Sequence, residues 1–169
     1  MDNIFSKITD YEFFDRLFPG FLVCFYYSSL SNDSFNIAEI STISAIAMIA
    51  IMYFVGLTVS RIGSLIIEPL AKKAKLIQYH KGFYLAERND PKIKVLLKDF
   101  NMYRNIAASA IISIVMTLIR AVSLPFDGGE LAVRITVLAL VFVVYFAAYA
   151  KQSVSINNRI KHAKERNLK

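Results

Sequence analysis

The chain has 169 residues, of which 56% are apolar and 20% are charged, and its formal net charge is +7. Soluble domains are about 45–50% apolar, so this excess, with a mean hydropathy of +0.45, indicates a membrane protein. The basic residues lie beside apolar runs, which favours anionic lipid headgroups over nucleic acid as their partner. The only cysteine, Cys24, excludes an internal disulfide and a paired-cysteine metal site.

The first apolar run, residues 17–30, is short. It has 14 residues, whereas a spanning helix needs about 20. Pro19 suits the first turn of a helix, and Tyr26 and Tyr27 suit a membrane interface, so we expect a short span rather than a re-entrant segment. The stretch around its start, "DYEFFDRLFPGF", is aromatic and acidic. It is expected to anchor at the interface or, alternatively, to contact a basic cytoplasmic segment.

Three further apolar runs, residues 37–59, 106–124 and 131–150, are long enough to cross a membrane. The predicted fold is therefore all-α, a polytopic bundle of four transmembrane helices. Sixteen of the twenty Lys and Arg residues lie in residues 61–104 and 151–169. Because positively charged segments stay in the cytoplasm, both termini and the middle segment are predicted to be cytoplasmic.

The second run raises the question of where its helix leaves the membrane. From Ile37 to Glu68 the chain has 32 residues without a strong helix breaker, or about 48 Å of helix, which exceeds the hydrocarbon thickness of about 30 Å. We expect an exit near Ser60, with Arg61 and Glu68 in water on one face. The alternative is a functional Arg61 inside the membrane. Pro69 predicts a bend or restart, and so a hinge.

The predicted organisation has four parts: residues 1–60 with spans one and two, residues 61–104 as a basic helical stalk, residues 105–150 with spans three and four, and a basic tail at 151–169. The spacing after Pro69 is amphipathic, and Asp90 followed by Pro91 is typical of a helix start. The stalk is thus predicted to be a helical hairpin that prolongs spans two and three. Its lysines Lys72, Lys73 and Lys75 are candidates for docking a partner or lipid headgroups.

A polar stripe marks the third span. Asn105, Ser109, Ser113 and Thr117 recur every four residues, so they share one helix face. Small hydroxylated residues allow close packing and hydrogen bonds between membrane helices, which predicts a helix interface. The alternative is a polar track that lines a pore.

Three charges map near the predicted outer ends of the spans, namely Glu39, Arg120 and Arg134. They are expected to form a surface cluster or, alternatively, an outer gate or anion site. His80 and His162 have no ligand partner three or four residues away, and nucleotide-binding and hydrolase motifs are absent from the sequence. We therefore expect no enzyme, no metal site, no cofactor and no direct nucleic-acid binding.

Three features carry a resemblance across the whole chain: the "LFPGF" entry to span one, the "RIGSLIIEPL" exit from span two, and the charged helical middle. In these the layout resembles small four-span proteins of bacterial phage-defence operons, and it is similar to the membrane subunit of Kiwa-type systems. The resemblance implies an oligomer of the bacterial inner membrane that senses envelope disturbance and works with a soluble cytoplasmic partner.

The first functional hypothesis is accordingly a membrane sensor or scaffold that relays a signal through its stalk. The alternative is a small ion channel or a membrane-permeabilising effector. An assembly factor for another membrane complex fits the same sequence features as the first hypothesis.

Overall fold

A computed structural model describes residues 13–31, 42–77, 90–123 and 128–166. These residues form helices and contain no β-strand, which confirms the all-α prediction. The helices in chain order are α1 (Phe18–Ser31), α2 (Thr42–Ile62), α3 (Glu68–Lys73), α4 (Pro91–Ser123) and α5 (Gly128–Arg166). One π-helical turn, Phe13–Leu17, precedes α1, and a second, Gly63–Ile67, joins α2 to α3.

Three helical stretches are long and apolar enough to cross a membrane, namely Thr42–Lys73, Lys92–Ser123 and Gly128–Lys161. Large apolar side chains such as Phe54, Leu140 and Val144 are exposed on them, as expected for lipid contact. The run at α1 has 14 residues, below the length of an ordinary span, so a fourth span stays a prediction.

Helix α4 is the centre of the described bundle, because it contacts α1, α2, the second π turn and, along its length, α5. Phe100 stacks on the fully buried Tyr149 with ring centroids 4.2 Å apart. Beyond this pair, the buried side chains of Ile93, Ile156 and Ile160 continue the core past the apolar run of α5. The two long helices therefore stay packed together outside the predicted hydrocarbon region.

Helix α4 begins at Pro91, where the sequence predicted a start. The Asp90 carboxylate accepts a hydrogen bond from the Lys92 backbone N–H at 3.0 Å, which caps one of the free donors of the first turn. The same carboxylate pairs with Arg159 of α5 at 2.7 Å. Residues 151–166, predicted as a tail, are a direct continuation of α5.

Helix α3 ends sooner than the amphipathic spacing after Pro69 predicted. Lys75 adopts a left-handed conformation with φ 58°, its N–H bonds the Lys72 carbonyl, and the Leu76 N–H bonds the Ala71 carbonyl. This pair of bonds is a Schellman motif, which stops a helix. The prediction of a helix that continues through residues 74–77 was wrong. Residues 78–89 of the predicted stalk, including His80, lie outside the described residues.

Helices α1 and α2 cross with their backbones in contact. A Cβ added at Gly20 would lie 1.8 Å from the Met52 carbonyl oxygen, and one added at Gly56 would lie 1.7 Å from the Arg16 carbonyl oxygen. No other residue fits at either position. The Arg16 guanidinium also donates to the Tyr53 hydroxyl at 2.6 Å, so the first π turn is tied to α2 beside this crossing.

Candidate functional site

The polar stripe of α4 faces α1 and is buried. Asn105 and Thr117 have no exposed surface, and Ser109 and Ser113 are almost fully buried. The Ser109 hydroxyl lies 3.3 Å from the carbonyl oxygen of Pro19 in α1, and the hydroxyls of Thr117 and Tyr26 are 2.5 Å apart. Within the described chain these side chains therefore form a helix–helix contact.

Asn105 connects three elements. Its amide nitrogen donates to the backbone oxygen of Asp15 at 2.8 Å and to the Asp15 carboxylate at 2.7 Å. It also lies 3.3 Å from the Ser60 hydroxyl oxygen. Asp15 belongs to the first π turn and Ser60 to the last part of α2, so one buried side chain links both to α4.

The neighbouring residue, Arg104, extends these contacts to the start of α3. Its Nε donates to the Asn105 Oδ1 at 3.3 Å, and its Nη1 lies 3.2 Å from Glu68 Oε2. Glu68 Oε1 accepts from Lys72 Nζ at 2.7 Å. We refer to Asp15, Ser60, Glu68, Arg104 and Asn105 as the inner polar junction.

The position of Glu68 corrects a prediction. The sequence placed Glu68 in water on the same face as Arg61, but its side chain is 19% exposed and paired with a still more buried Arg104. Arg61 is exposed. The intervening π turn holds one more residue than an α-helical turn, so residues seven apart no longer share a face.

Burial gives the inner polar junction its electrostatic character. Asp15 and Arg104 are each under 10% exposed, and a buried charge is costly unless hydrogen bonds and an opposite charge compensate it. A Cβ added at Gly63 would lie 3.3 Å from the Asn105 Oδ1 and 3.4 Å from the Arg104 side chain. Because Gly63 has no side chain, both polar groups can approach its backbone. This glycine is the feature of the sequence that could have indicated the close contact.

The predicted hinge and docking residues lie just beyond the junction. Pro69 is exposed in α3, directly after the second π turn. Of the three lysines, Lys72 bonds Glu68, while Lys73 and Lys75 are exposed. The structure thus groups all four near the inner ends of the helices.

The predicted outer charges are not brought together as a set. Arg134 pairs with Glu130 at 2.8 Å and lies 3.4 Å from the Ser29 hydroxyl, whereas Arg120 forms no ion pair with any described residue. Glu39 lies outside the described residues, as does the His162 side chain. The described part of the chain holds no group of three or more His, Cys, Asp or Glu side chains placed to bind a metal ion.

No family model matches the chain, and neither a curated protein nor a solved structure is detectably similar to it. The resemblance to Kiwa-type membrane subunits therefore stays a prediction, and function has to be inferred from the geometry of the chain itself.

Proposed function

We propose that the protein is an oligomeric sensor or scaffold subunit of the bacterial inner membrane, in a defence or envelope-stress system, and that it relays a membrane signal to a soluble cytoplasmic partner through its helical stalk. The observation that carries the proposal is the inner polar junction. It ties the segment before α1, the end of α2 and the middle of α4 together, beside the residues at which spans two and three are predicted to continue into the cytoplasm.

Two features of the junction suit a relay. Both described π turns, Phe13–Leu17 and Gly63–Ile67, contribute to it or adjoin it, and such turns are frequent at functional sites because they are strained departures from the α-helix. Its contacts are also directional and few, so a tilt of one helix would break several of them together. A relay needs a two-state element of this kind.

The channel alternative has weaker support. The hydroxyl groups that would line a pore along α4 are buried against α1. On a Cys24→Ser background, a cysteine at Ser113 should react slowly with a charged thiol reagent, whereas one at Lys151, which is exposed and follows the apolar run of α5, should react rapidly. Rapid labelling at Ser113 from the aqueous phase would instead favour a pore.

The relay can be tested by distance measurements. Spin labels on cysteines at Lys73 and Lys151, both exposed, report the position of α3 relative to α5 in a Cys24→Ser protein. In nanodiscs of short-chain and long-chain phosphatidylcholine, we expect two different distance distributions, because bilayer thickness changes helix tilt. Asn105→Leu should abolish the difference by cutting the link between Asp15 and α4.

Identical distributions in both bilayers would overturn the relay. A difference that survives in Asn105→Leu would exclude the inner polar junction from it. Because Asn105→Leu also lowers stability, Glu68→Gln is the milder second variant: it keeps the shape of the side chain and weakens its pairing with Arg104 and with Lys72.

The docking part of the proposal has its own test. Replacing Lys72, Lys73 and Lys75 with Glu should release a cytoplasmic partner in a pull-down, or weaken binding to vesicles containing phosphatidylglycerol by about 1 kcal/mol per base. The two readouts separate a protein partner from lipid. Unchanged results in both would leave the stalk as a spacer.

A further inference from the structure

A groove of about 220 Å³ lies between the end of α3 and the distal part of α5. It is separate from the inner polar junction and from the stripe on α4, although Lys75 is also one of the three lysines of the proposed docking segment. It is lined by Lys75, Leu76, Ser153, Val154, Asn157, Asn158 and Lys161. The lining residues belong to the turn after α3 and to α5, and their side chains include two ammonium groups, two amides and a hydroxyl.

The charges in this groove are not neutralised within the described chain. Neither Lys75 nor Lys161 forms an ion pair there, although Lys72 and Arg159, which are close to them in sequence, each pair with a carboxylate. The groove lining contains no acidic residue. Two like charges held near one another repel, so a bound anion would lower the electrostatic energy of the site.

The backbone at Lys75 is a second, independent observation. Lys75 has φ 58°, a left-handed conformation that favours Gly or Asn and costs a lysine about 1 kcal/mol or more. The carbonyls of Leu70, Ala71 and Lys72 accept hydrogen bonds from the N–H groups of residues 74–76, and these bonds hold Lys75 in the left-handed conformation. The same turn places Lys75 in the lining of the groove beside α5.

We propose that this groove binds a soluble anion that carries a phosphate group. A phosphate offers several strong acceptor oxygens, which match ammonium, amide and hydroxyl donors. The groove volume admits a phosphate and the atoms next to it, not a large ligand. This inference depends on the groove alone and does not require the proposed relay.

A lipid headgroup is the other source of phosphate, and the position of the groove disfavours it. The apolar run of α5 ends at Ala150, and Lys161 lies eleven residues further along the same helix, about 16 Å away. The headgroup layer on each side of the hydrocarbon is only about 5–8 Å thick. Lys161 is therefore beyond the reach of an embedded phospholipid.

The test uses the full chain purified in a neutral detergent and titrated with inorganic phosphate at constant ionic strength by isothermal titration calorimetry. We expect saturable binding that weakens at least about tenfold in Lys75→Asn with Lys161→Gln, since each charge-assisted hydrogen bond is worth about 1.5–3 kcal/mol. Asn is chosen because it tolerates the left-handed backbone.

The matched control is Lys73→Gln with Lys151→Gln. It removes the same two charges from exposed positions on the same segment and the same helix, outside the groove, and should bind phosphate within about twofold of the wild type. Equal losses in both double variants would overturn the proposal, because they would reflect net charge rather than a site. Absence of saturable binding in the wild type would overturn it as well.

A second arm addresses lipid. The wild type and the groove variant are reconstituted in nanodiscs with and without phosphatidylglycerol, and phosphate titrations are repeated. Phosphate binding unaffected by phosphatidylglycerol supports a soluble ligand. Weaker phosphate binding by the wild type in nanodiscs that contain phosphatidylglycerol would show a headgroup site and overturn the assignment to a soluble anion.

Discussion

The inner and outer ends of the helices are held together in different ways. At the inner end, Asp15, Arg104 and Asn105 are buried and bonded across three elements. At the outer end, the ion pair between Arg134 and Glu130 is partly exposed and joins residues of one helix. Buried polar contacts are costly to break, whereas exposed ion pairs contribute little. The inner end therefore fixes the arrangement of α1, α2 and α4, and the outer end tolerates change.

The largest effect on the free energy of unfolding is expected from Gly56→Ala, which adds a methyl group where α2 touches the backbone of the first π turn. The new Cβ would lie 1.7 Å from the Arg16 carbonyl oxygen, so the first π turn must separate from α2 at a cost of about 3 kcal/mol or more. The measurement is the free energy of unfolding in mixed micelles titrated with sodium dodecyl sulfate.

Gly128 provides the matched control at the outer end, since a Cβ there meets nothing within 4 Å. Gly128→Ala should change stability by no more than about 0.5 kcal/mol. Similar losses for the two variants would show that the close crossing of α1 and α2 is not a feature of the folded protein.

Asn105→Leu should have the next largest effect, about 2 kcal/mol of destabilisation by the same assay. It removes the donor that the buried Asp15 carboxylate accepts from, and a buried acceptor left without that partner is costly. Asn158→Leu makes the same chemical change at an exposed position of α5 and should be close to neutral without phosphate. If Asn105→Leu were equally neutral, the inner polar junction would not hold the helices together.

Tyr26→Phe probes the contact of α1 with the outer part of α4. It deletes the hydroxyl that lies 2.5 Å from the Thr117 hydroxyl, which should cost about 1 kcal/mol. A double-mutant cycle with Thr117→Val isolates the pair, and we expect a coupling energy of at least about 0.5 kcal/mol. Strict additivity of the two substitutions would mean that the hydroxyls do not interact.

The smallest effect is expected from Glu130→Gln. The pair with Arg134 is exposed and lies within one turn of α5, so its loss should cost no more than about 0.5 kcal/mol and should matter less as salt is raised. A larger, salt-independent loss would place this pair in a protected environment and would weaken the contrast between the two ends.

The sequence predicted which residues of α4 share a face, because the helical period alone determines that Asn105, Ser109 and Thr117 are aligned. It also predicted the start of α4 at Pro91, because the capping residue Asp90 and the following proline determine where the helix begins. Both predictions depend on short-range geometry, which a sequence displays directly.

The partners of the stripe could not be predicted in the same way. The pairing of Glu68 with Arg104 joins residues 36 positions apart, and local rules do not specify contacts at that separation. The helix end at Lys75 was missed because a lysine gives no signal for a left-handed residue. Asp15 was grouped with an interfacial aromatic stretch, since only the packing of α1 on α4 shows that its carboxylate is buried.

The second π turn, Gly63–Ile67, also has a genetic consequence. It is one residue longer than the α-helical turn it replaces, so a single-codon deletion within it would yield a regular helix. Because the wider turn already absorbs the extra residue, the residues after the deletion would keep nearly the orientation they have now, and Glu68 would still face Arg104. A single-codon deletion in the regular part of α2 would instead turn every later residue by about 100° around the helix axis and move it back by about 1.5 Å. The second π turn is therefore the place in this helix at which a one-residue change of length is best tolerated.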